Sequence, residues 1–211
     1  MTYSIKEMFY TLQGEGNQAG RPAVFCRFSG CNLWSGREQD RANAICTFCD
    51  TDFVGTDGDG GDKFKNAEAL ARAIDSFWPI SHQHHKYVVL TGGEPLLQVD
   101  DALIAALHEL DFTIAVETNG TIAPPKGIDW ICVSPKSTAQ LKITKGDELK
   151  LVFPQPDSMP NQFEHLDFKN FYLQPMDNQN SKNNIEETIK YCKSNPKWRL
   201  GLQQHKILKI P

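Results

Sequence analysis

Along this 211-residue chain, four apolar segments each run straight into a short polar stretch. Tyr87-Val88-Val89-Leu90 leads into Thr91-Gly92-Gly93-Glu94-Pro95. Residues 112–116 lead into Glu117-Thr118-Asn119-Gly120, residues 130–133 into Ser134-Pro135-Lys136, and residues 171–173 into Gln174-Pro175-Met176-Asp177. Short apolar runs of this kind read as buried strands of a parallel sheet. In parallel barrels the strand C-termini share one face, and ligands bind there. A core has no use for polar strand ends, so these predict a site. Further strands are expected at residues 5–10, 23–28, 149–153 and 199–202. Helices are expected at 66–78, 100–110 and 184–194, the first capped by Asn66 and stopped by Pro79. Their inward faces are predicted to be Leu70, Ile74, Phe77 and Trp78, then Leu103, Ile104 and Leu107, then Ile185, Ile189 and Cys192. A complete eight-fold barrel needs about 250 residues. The expected fold class is therefore α/β, an open partial (βα) barrel of about six strands with only about three core helices. No repeat or linker divides the chain, so residues 1–211 read as one domain.

Half of the six cysteines fall within residues 31–49. Cys46 and Cys49 form a Cys-x-x-Cys pair, and Cys31 lies across a polar insert. Thiolates favour zinc, copper(I) or iron–sulfur clusters. Closed zinc sites and most clusters use four protein ligands. Three leave a coordination position open for a small molecule. Cys26, Cys132 and Cys192 sit singly among apolar residues and read as buried free cysteines. No apolar core segment follows Met1, and no apolar run approaches the roughly 18 residues that span a membrane. A cytoplasmic protein with reduced thiols is expected. The net charge of −4 argues against a nucleic-acid coat.

Other stretches are less informative. Leu12-Gln13-Gly14-Glu15-Gly16 is a polar loop where backbone can approach a ligand, or a simple turn. Arg27 stands in an apolar strand and needs an anionic partner, either a structural carboxylate or a ligand. The insert 32–44 fits a short helix or an irregular loop. Residues 56–62 read as a mobile Gly/Asp loop without the distal glutamate of a calcium site. His82, His84 and His85 read as a solvated connection, and residues 205–211 as a short tail.

Cys31, Cys46 and Cys49, followed by Thr91-Gly92-Gly93-Glu94-Pro95, resemble the radical S-adenosylmethionine superfamily. The usual superfamily spacing between the first two cysteines is three residues, whereas here it is fourteen. Leu12-Gln13-Gly14-Glu15-Gly16, residues 25–33, Cys49-Asp50-Thr51, Glu117-Thr118-Asn119-Gly120 and Ser134-Pro135-Lys136 together resemble the 7-carboxy-7-deazaguanine synthase family, some of whose members carry an expanded loop. The resemblance runs from about Lys6 to Pro211 and implies a cluster-binding loop at about 29–62. It implies a [4Fe–4S] cluster on Cys31, Cys46 and Cys49, with S-adenosylmethionine on the open iron. It implies a cofactor pocket of Phe48, Cys49, Asp50, Gly93, Glu117, Asn119, Ser134, Pro135, Lys136, Gln174, Pro175, Met176 and Asp177. The implied reaction is a radical ring contraction of 6-carboxy-5,6,7,8-tetrahydropterin to 7-carboxy-7-deazaguanine and ammonia, on the route to queuosine. Leu12, Gln13 and Gly14 would read the pterin edge. Arg27 and Thr91 would take its carboxylate, and the Pro211 carboxylate its amino group. Thr51 is the candidate Mg2+ ligand, with Asp50 nearby. An electron donor such as flavodoxin or ferredoxin and a homodimer are implied as partners.

Two alternatives stay open on the residues. One is a glycyl-radical activating enzyme of the same superfamily. The other, of a different class, is a zinc-binding interaction module using the three cysteines and a histidine such as His82.

Overall fold

The computed structural model describes residues 2–81 and 83–211. Nine strands form one open sheet in the order β3-β1-β2-β4-β5-β6-β7-β8-β9. They are β1 (Tyr3–Leu12), β2 (Pro22–Phe28), β3 (Asp62–Phe64), β4 (Tyr87–Gly92), β5 (Thr113–Thr118), β6 (Trp130–Val133), β7 (Lys145–Phe153), β8 (Asp167–Pro175) and β9 (Arg199–Leu200). β1 pairs antiparallel with β2 and β3; from β2 to β9 every pairing is parallel. The result is the expected open α/β partial barrel. Nine strands exceed the about six expected for the barrel; all eight apolar segments named above are strands, and the ninth, β3, is short, polar and without an apolar signature.

Among the described residues four α-helices accompany the sheet: α1 (Ala67–Phe77), α2 (Asp101–His108), α3 (Ser181–Ser194) and α4 (Gln204–Leu208). Asn66 caps α1 by accepting from the Ala69 N–H at 2.8 Å. Asp100 does the same for α2 through Leu103 and also accepts from the Tyr3 hydroxyl at 2.7 Å. Leu70, Ile74, Leu103, Ile104 and Leu107 are buried in one core with Val24, Val88, Leu90, Ile114, Val116, Leu149 and Leu151. Alternate strand residues point to opposite faces. The core therefore takes Val24, Cys26 and Phe28 of β2, while Phe25 and Arg27 line a cleft on the other face. In β7 Leu149 and Leu151 enter the core, and Lys150 and Val152 face the cleft.

The third helix corrects the expected stripe. Ile185 and Ile189 are 39% and 40% exposed, and Asn184 and Thr188 are buried instead. Asn184 Nδ2 donates to the Met176 carbonyl at 2.8 Å, satisfying backbone just beyond β8. Residues 184, 188, 191 and 192 then form the inward face, with helical spacing but polar members that a hydrophobic pattern does not reveal. Cys26 and Cys132 are buried as expected, whereas Cys192 is only partly so. Residues 56–62, expected to be a mobile loop, are laced to β1: Gly58 N donates to Lys6 O at 2.9 Å and Met8 N to Asp59 O at 2.7 Å. The supposed tail contains α4. Among the described residues no helix is long and apolar enough to cross a membrane.

Candidate functional site

The parallel strands deliver their C-terminal ends to a cleft of about 450 Å³. Two of its regions differ in chemistry. At one rim lie the cysteines. The insert after Cys31 folds back through a 3-10 turn at Glu38–Asn43. Leu33 O accepts from the N–H groups of Ile45 and Cys46 at 3.1 and 3.3 Å. Arg41 packs its guanidinium 4.0 Å from the Trp34 ring centroid. Its Nη1 donates to the carbonyls of Thr47 and Cys49 at 3.0 and 3.1 Å. The expanded loop is thus an ordered brace for the Cys-x-x-Cys segment.

Cys46 and Cys49 line the cleft. The Cys46 thiol hydrogen-bonds Cys49, which lowers the Cys49 thiol to about 6 and raises that of Cys46. Cys31 lies beneath the Gly92-Gly93 turn, where Gly93 N donates to Phe28 O at 3.2 Å and Glu94 N to Gly30 O at 2.9 Å. A side chain at Gly93 would run into the Gly30 carbonyl and come within 2.9 Å of Cys31 Cβ. Among the described residues no three His, Cys, Asp or Glu side chains are placed to hold a single metal ion. Burial and, to a lesser degree, the Cys49 charge raise the Cys31 thiol, so these two soft ligands lie close enough to act on one another, and thiolates are the usual ligands of an iron–sulfur cluster. His82, on which the zinc alternative leans, lies outside the described residues. Gln174 also lines the cleft, and its buried Oε1, which faces Gly201, has no hydrogen-bond partner among the described residues.

The strand ends are tied together by Glu94. Its fully buried carboxylate accepts from Leu96 N at 3.0 Å, Thr118 Oγ1 at 2.7 Å and Asn119 N at 2.8 Å. Asn119 Nδ2 reaches across to Asn32 Oδ1 at 2.9 Å. Ser134 accepts from Lys136 Nζ at 2.7 Å, and that ammonium lies 5.7 Å from the Phe48 ring centroid. Phe48, Asp50, Thr51, Gly93, Asn119, Ser134 and Lys136 all border the cleft, as do Gln174, Pro175, Met176 and Asp177. Pro135 does not border it; its carbonyl lies 3.4 Å from Gln155 Nε2.

The other region is charged. Arg27 Nε donates to Glu7 Oε1 at 2.7 Å, and in β2 it is the register partner of Thr91 in β4. Gln13 Nε2 donates to Glu117 Oε1 at 2.9 Å. Lys150 Nζ lies 2.5 Å from Glu15 Oε2 and 3.3 Å from Glu117 Oε1. Leu12 and Gly14 border the same end, and Thr11 Oγ1 donates to Pro211 O at 3.1 Å. The C-terminal segment straps the opening. Gln204 N donates to Gly14 O at 2.9 Å, and Lys206 Nζ bridges Asp50 Oδ2 at 3.0 Å and Asp177 Oδ2 at 2.6 Å. Glu7, Glu15, Lys150, His205 and Lys206 are cleft residues that sequence reading did not assign. A signal existed only for Lys150, a lysine inside an apolar strand and two residues from Glu148 on the same face.

The profile of the Radical SAM superfamily matches residues 39–198, from the insert to just beyond α3. This places the protein in the radical SAM class. The chain is 63% identical over its full length, and the full length of the relative, to 7-carboxy-7-deazaguanine synthase of Caulobacter vibrioides, and 61% identical on the same terms to that of Bordetella pertussis. The crystal structure of QueE from Escherichia coli superposes with a TM-score of 0.72 at 25% identity, covering 97% of this chain and 95% of the other. The chain belongs to the 7-carboxy-7-deazaguanine synthase family.

Proposed function

We propose that this protein converts 6-carboxy-5,6,7,8-tetrahydropterin to 7-carboxy-7-deazaguanine and ammonia. The observation that carries the reading is one cleft joining the Cys46 and Cys49 thiols, with Cys31 beside it beneath the Gly92-Gly93 turn, to a region built from Arg27, Gln13 and two carboxylates. When bound on Cys31, Cys46 and Cys49, a [4Fe–4S] cluster with S-adenosylmethionine supplies the hydrogen-atom abstraction that starts the ring contraction. The chain's own residues orient and enclose. Gly93 keeps the turn over Cys31 free of a side chain, so backbone groups can meet the methionine amino group. Phe48, Cys49, Asp50, Asn119, Ser134 and Lys136 would surround the adenosyl portion together with residues 174–177, and Pro135 would hold the turn between Ser134 and Lys136. The resemblance put Glu117 beside the cofactor. Its bonds to Gln13 and Lys150 favour the pterin side, and we assign it there. Arg27, whose terminal nitrogens have no partner among the described residues beyond the Nε contact with Glu7, would hold the substrate carboxylate with Thr91. Leu12, Gln13, Gly14 and Pro211 would border the ring.

Anaerobic turnover of the carboxypterin by cluster-loaded protein, followed by product mass, tests this. A product lighter by one ammonia supports it; intact pterin under conditions where S-adenosylmethionine is cleaved overturns it. The glycyl-radical activating alternative predicts intact pterin.

Mg2+ is assigned to the Thr51 hydroxyl. The Asp50 carboxylate is turned to Lys206, which leaves the ion to that hydroxyl, the substrate carboxylate and water. Thr51→Ala should lose Mg2+ stimulation of turnover while S-adenosylmethionine cleavage survives. Unchanged Mg2+ dependence would refute the assignment. The remaining assignments are a cytoplasmic homodimer that takes its electron from a flavodoxin or ferredoxin, and one domain over residues 1–211 with its cluster loop at 29–62. The continuous sheet supports the last of these.

A further inference from the structure

Lys150 is buried in the middle of β7 at the charged end of the cleft and touches two carboxylates at once. Those carboxylates come from distant elements, Glu15 from the loop after β1 and Glu117 from the end of β5. Gln203 Nε2 steadies the free oxygen of Glu15 at 3.0 Å, and Gln13 steadies Glu117. A third carboxylate, Glu148, shares the face of Lys150. It accepts from Asn17 N at 2.9 Å and lies 3.6 Å from the Cys132 thiol. Glu117, Cys132 and Glu148 are successive register partners across β5, β6 and β7, so the sheet itself gathers this cluster.

We propose that Lys150 is a positioning residue for the substrate: it holds Glu15 and Glu117 side by side as charged hydrogen-bond acceptors for adjacent N–H groups on one edge of the bound heterocycle. The inference rests on the functional reading above, since the amino-pyrimidinone ring of a pterin offers such an edge. Two neighbouring carboxylates in a water-poor site cannot both stay ionised without a cation; one takes up a proton. A protonated carboxyl keeps only an uncharged acceptor and carries an O–H that competes for its place, so the contact with an N–H is weakened. Burial alone would raise the Glu15 carboxyl, but the Lys150 charge and its hydrogen bond hold it well below the ordinary range. Burial pushes the Glu148 carboxyl up, and the nearby Lys150 charge and the Asn17 N–H offset part of that rise. The other groups facing the cluster are Cys132 from β6, Tyr87 from β4 with Arg21 against its ring, and His205 from α4. Burial raises both the Cys132 thiol and the Tyr87 hydroxyl, so neither ionises near neutral pH.

The test is equilibrium binding of 6-carboxy-5,6,7,8-tetrahydropterin to anaerobic, cluster-loaded protein without reductant, from pH 6 to 9. Lys150→Met should weaken binding by about 10- to 100-fold at the acidic end, the loss of one or two charge-assisted hydrogen bonds. Removing the ammonium lets burial lift Glu15, so its acceptor form is lost as pH falls and regained as pH rises. Affinity of the variant should therefore recover toward alkaline pH, while S-adenosylmethionine affinity stays at the wild-type value. Wild type carries the same His205, so the difference between the two curves isolates the carboxylates. Lys150→Met/Glu148→Gln removes one charge of each sign and protects the test against misfolding; it should show the same pH-dependent defect. Pterin affinity within twofold of wild type at every pH in either variant would overturn the proposal. So would an equal, pH-independent loss of pterin and S-adenosylmethionine binding, which is what a merely structural lysine gives. Wild-type protein that fails to bind the pterin would instead overturn the functional reading, and the Lys150 role with it.

Discussion

Glu94→Ala should lower unfolding stability by about 3 kcal/mol, because three buried donors lose their acceptor together. For a chain of this length that corresponds to a fall in Tm of about 6–12 °C. The donors are Leu96 N, Thr118 Oγ1 and Asn119 N, which belong to two neighbouring strand ends. The loss is therefore not confined to stability. Asn119 would no longer be fixed against Asn32, and the turn over Cys31 would lose its anchor to β5. Cluster retention should fall along with Tm. Glu94→Gln separates shape from charge. An amide keeps one acceptor but turns an N–H toward a donor, so the variant should fall between wild type and alanine. Burial raises the Glu94 carboxyl above its ordinary value, and its three donors offset this only in part. A group raised in the folded state stabilises most below its unfolded value and loses that contribution as pH rises through the folded one. The advantage of wild type over glutamine should thus be largest in mild acid and shrink toward neutral pH. Thermal melts across that range check both statements. A Tm for Glu94→Ala within a degree or two of wild type would show that the strand ends do not depend on this carboxylate.

The second large effect is expected at Gly93. An alanine methyl would collide with the Gly30 carbonyl and press on Cys31 Cβ, and backbone on both sides leaves little room to give. Overpacking of this kind costs about 3 kcal/mol when the surroundings cannot relax. The only relief is to move the residues around Cys31, which separates one thiol from the other two. Iron bound per chain after anaerobic reconstitution should therefore drop toward zero in Gly93→Ala, even where the protein remains folded by circular dichroism. Gly30 would serve poorly as a control because it sits in the same contact. Gly20 is the better choice, since a Cβ there meets nothing within 4 Å, although its φ of +86° adds some backbone strain. If Gly93→Ala retained iron as well as Gly20→Ala does, close packing over Cys31 would not be what the glycine provides.

The parts of the site that are contiguous in the chain are legible in the sequence. The Cys-x-x-Cys pair and the polar strand ends each lie within a few residues, and the parallel topology implied by the apolar runs brings those ends together. The short edge strand β3 was not legible, because its pairing with β1 rests on backbone bonds that leave no apolar signature. Nor was the inward face of α3, where Asn184 outcompetes Ile185 for the interior by satisfying a carbonyl. The charged end of the cleft was only partly readable. Arg27 advertised itself as a cation in an apolar strand, but nothing in the order of residues tied it to Glu7. The contacts of Lys150 with Glu15 and Glu117 likewise span most of the fold. Interactions between distant segments leave no local pattern, so neither the pairs nor their shared cleft could be counted out along the chain.

Glu7 bears on how the product departs. The carboxypterin and the deazaguanine acid both keep the carboxylate that Arg27 is assigned to grip. A guanidinium with an empty coordination sphere would clutch both, and the spent molecule would linger. With one of its nitrogens already committed at 2.7 Å to a permanent neighbour, Arg27 has less attraction to spend on a visitor. If Arg27 holds the carboxylate as proposed, such a tempered hold would favour recognition without arrest and let the same cation serve arrival and exit.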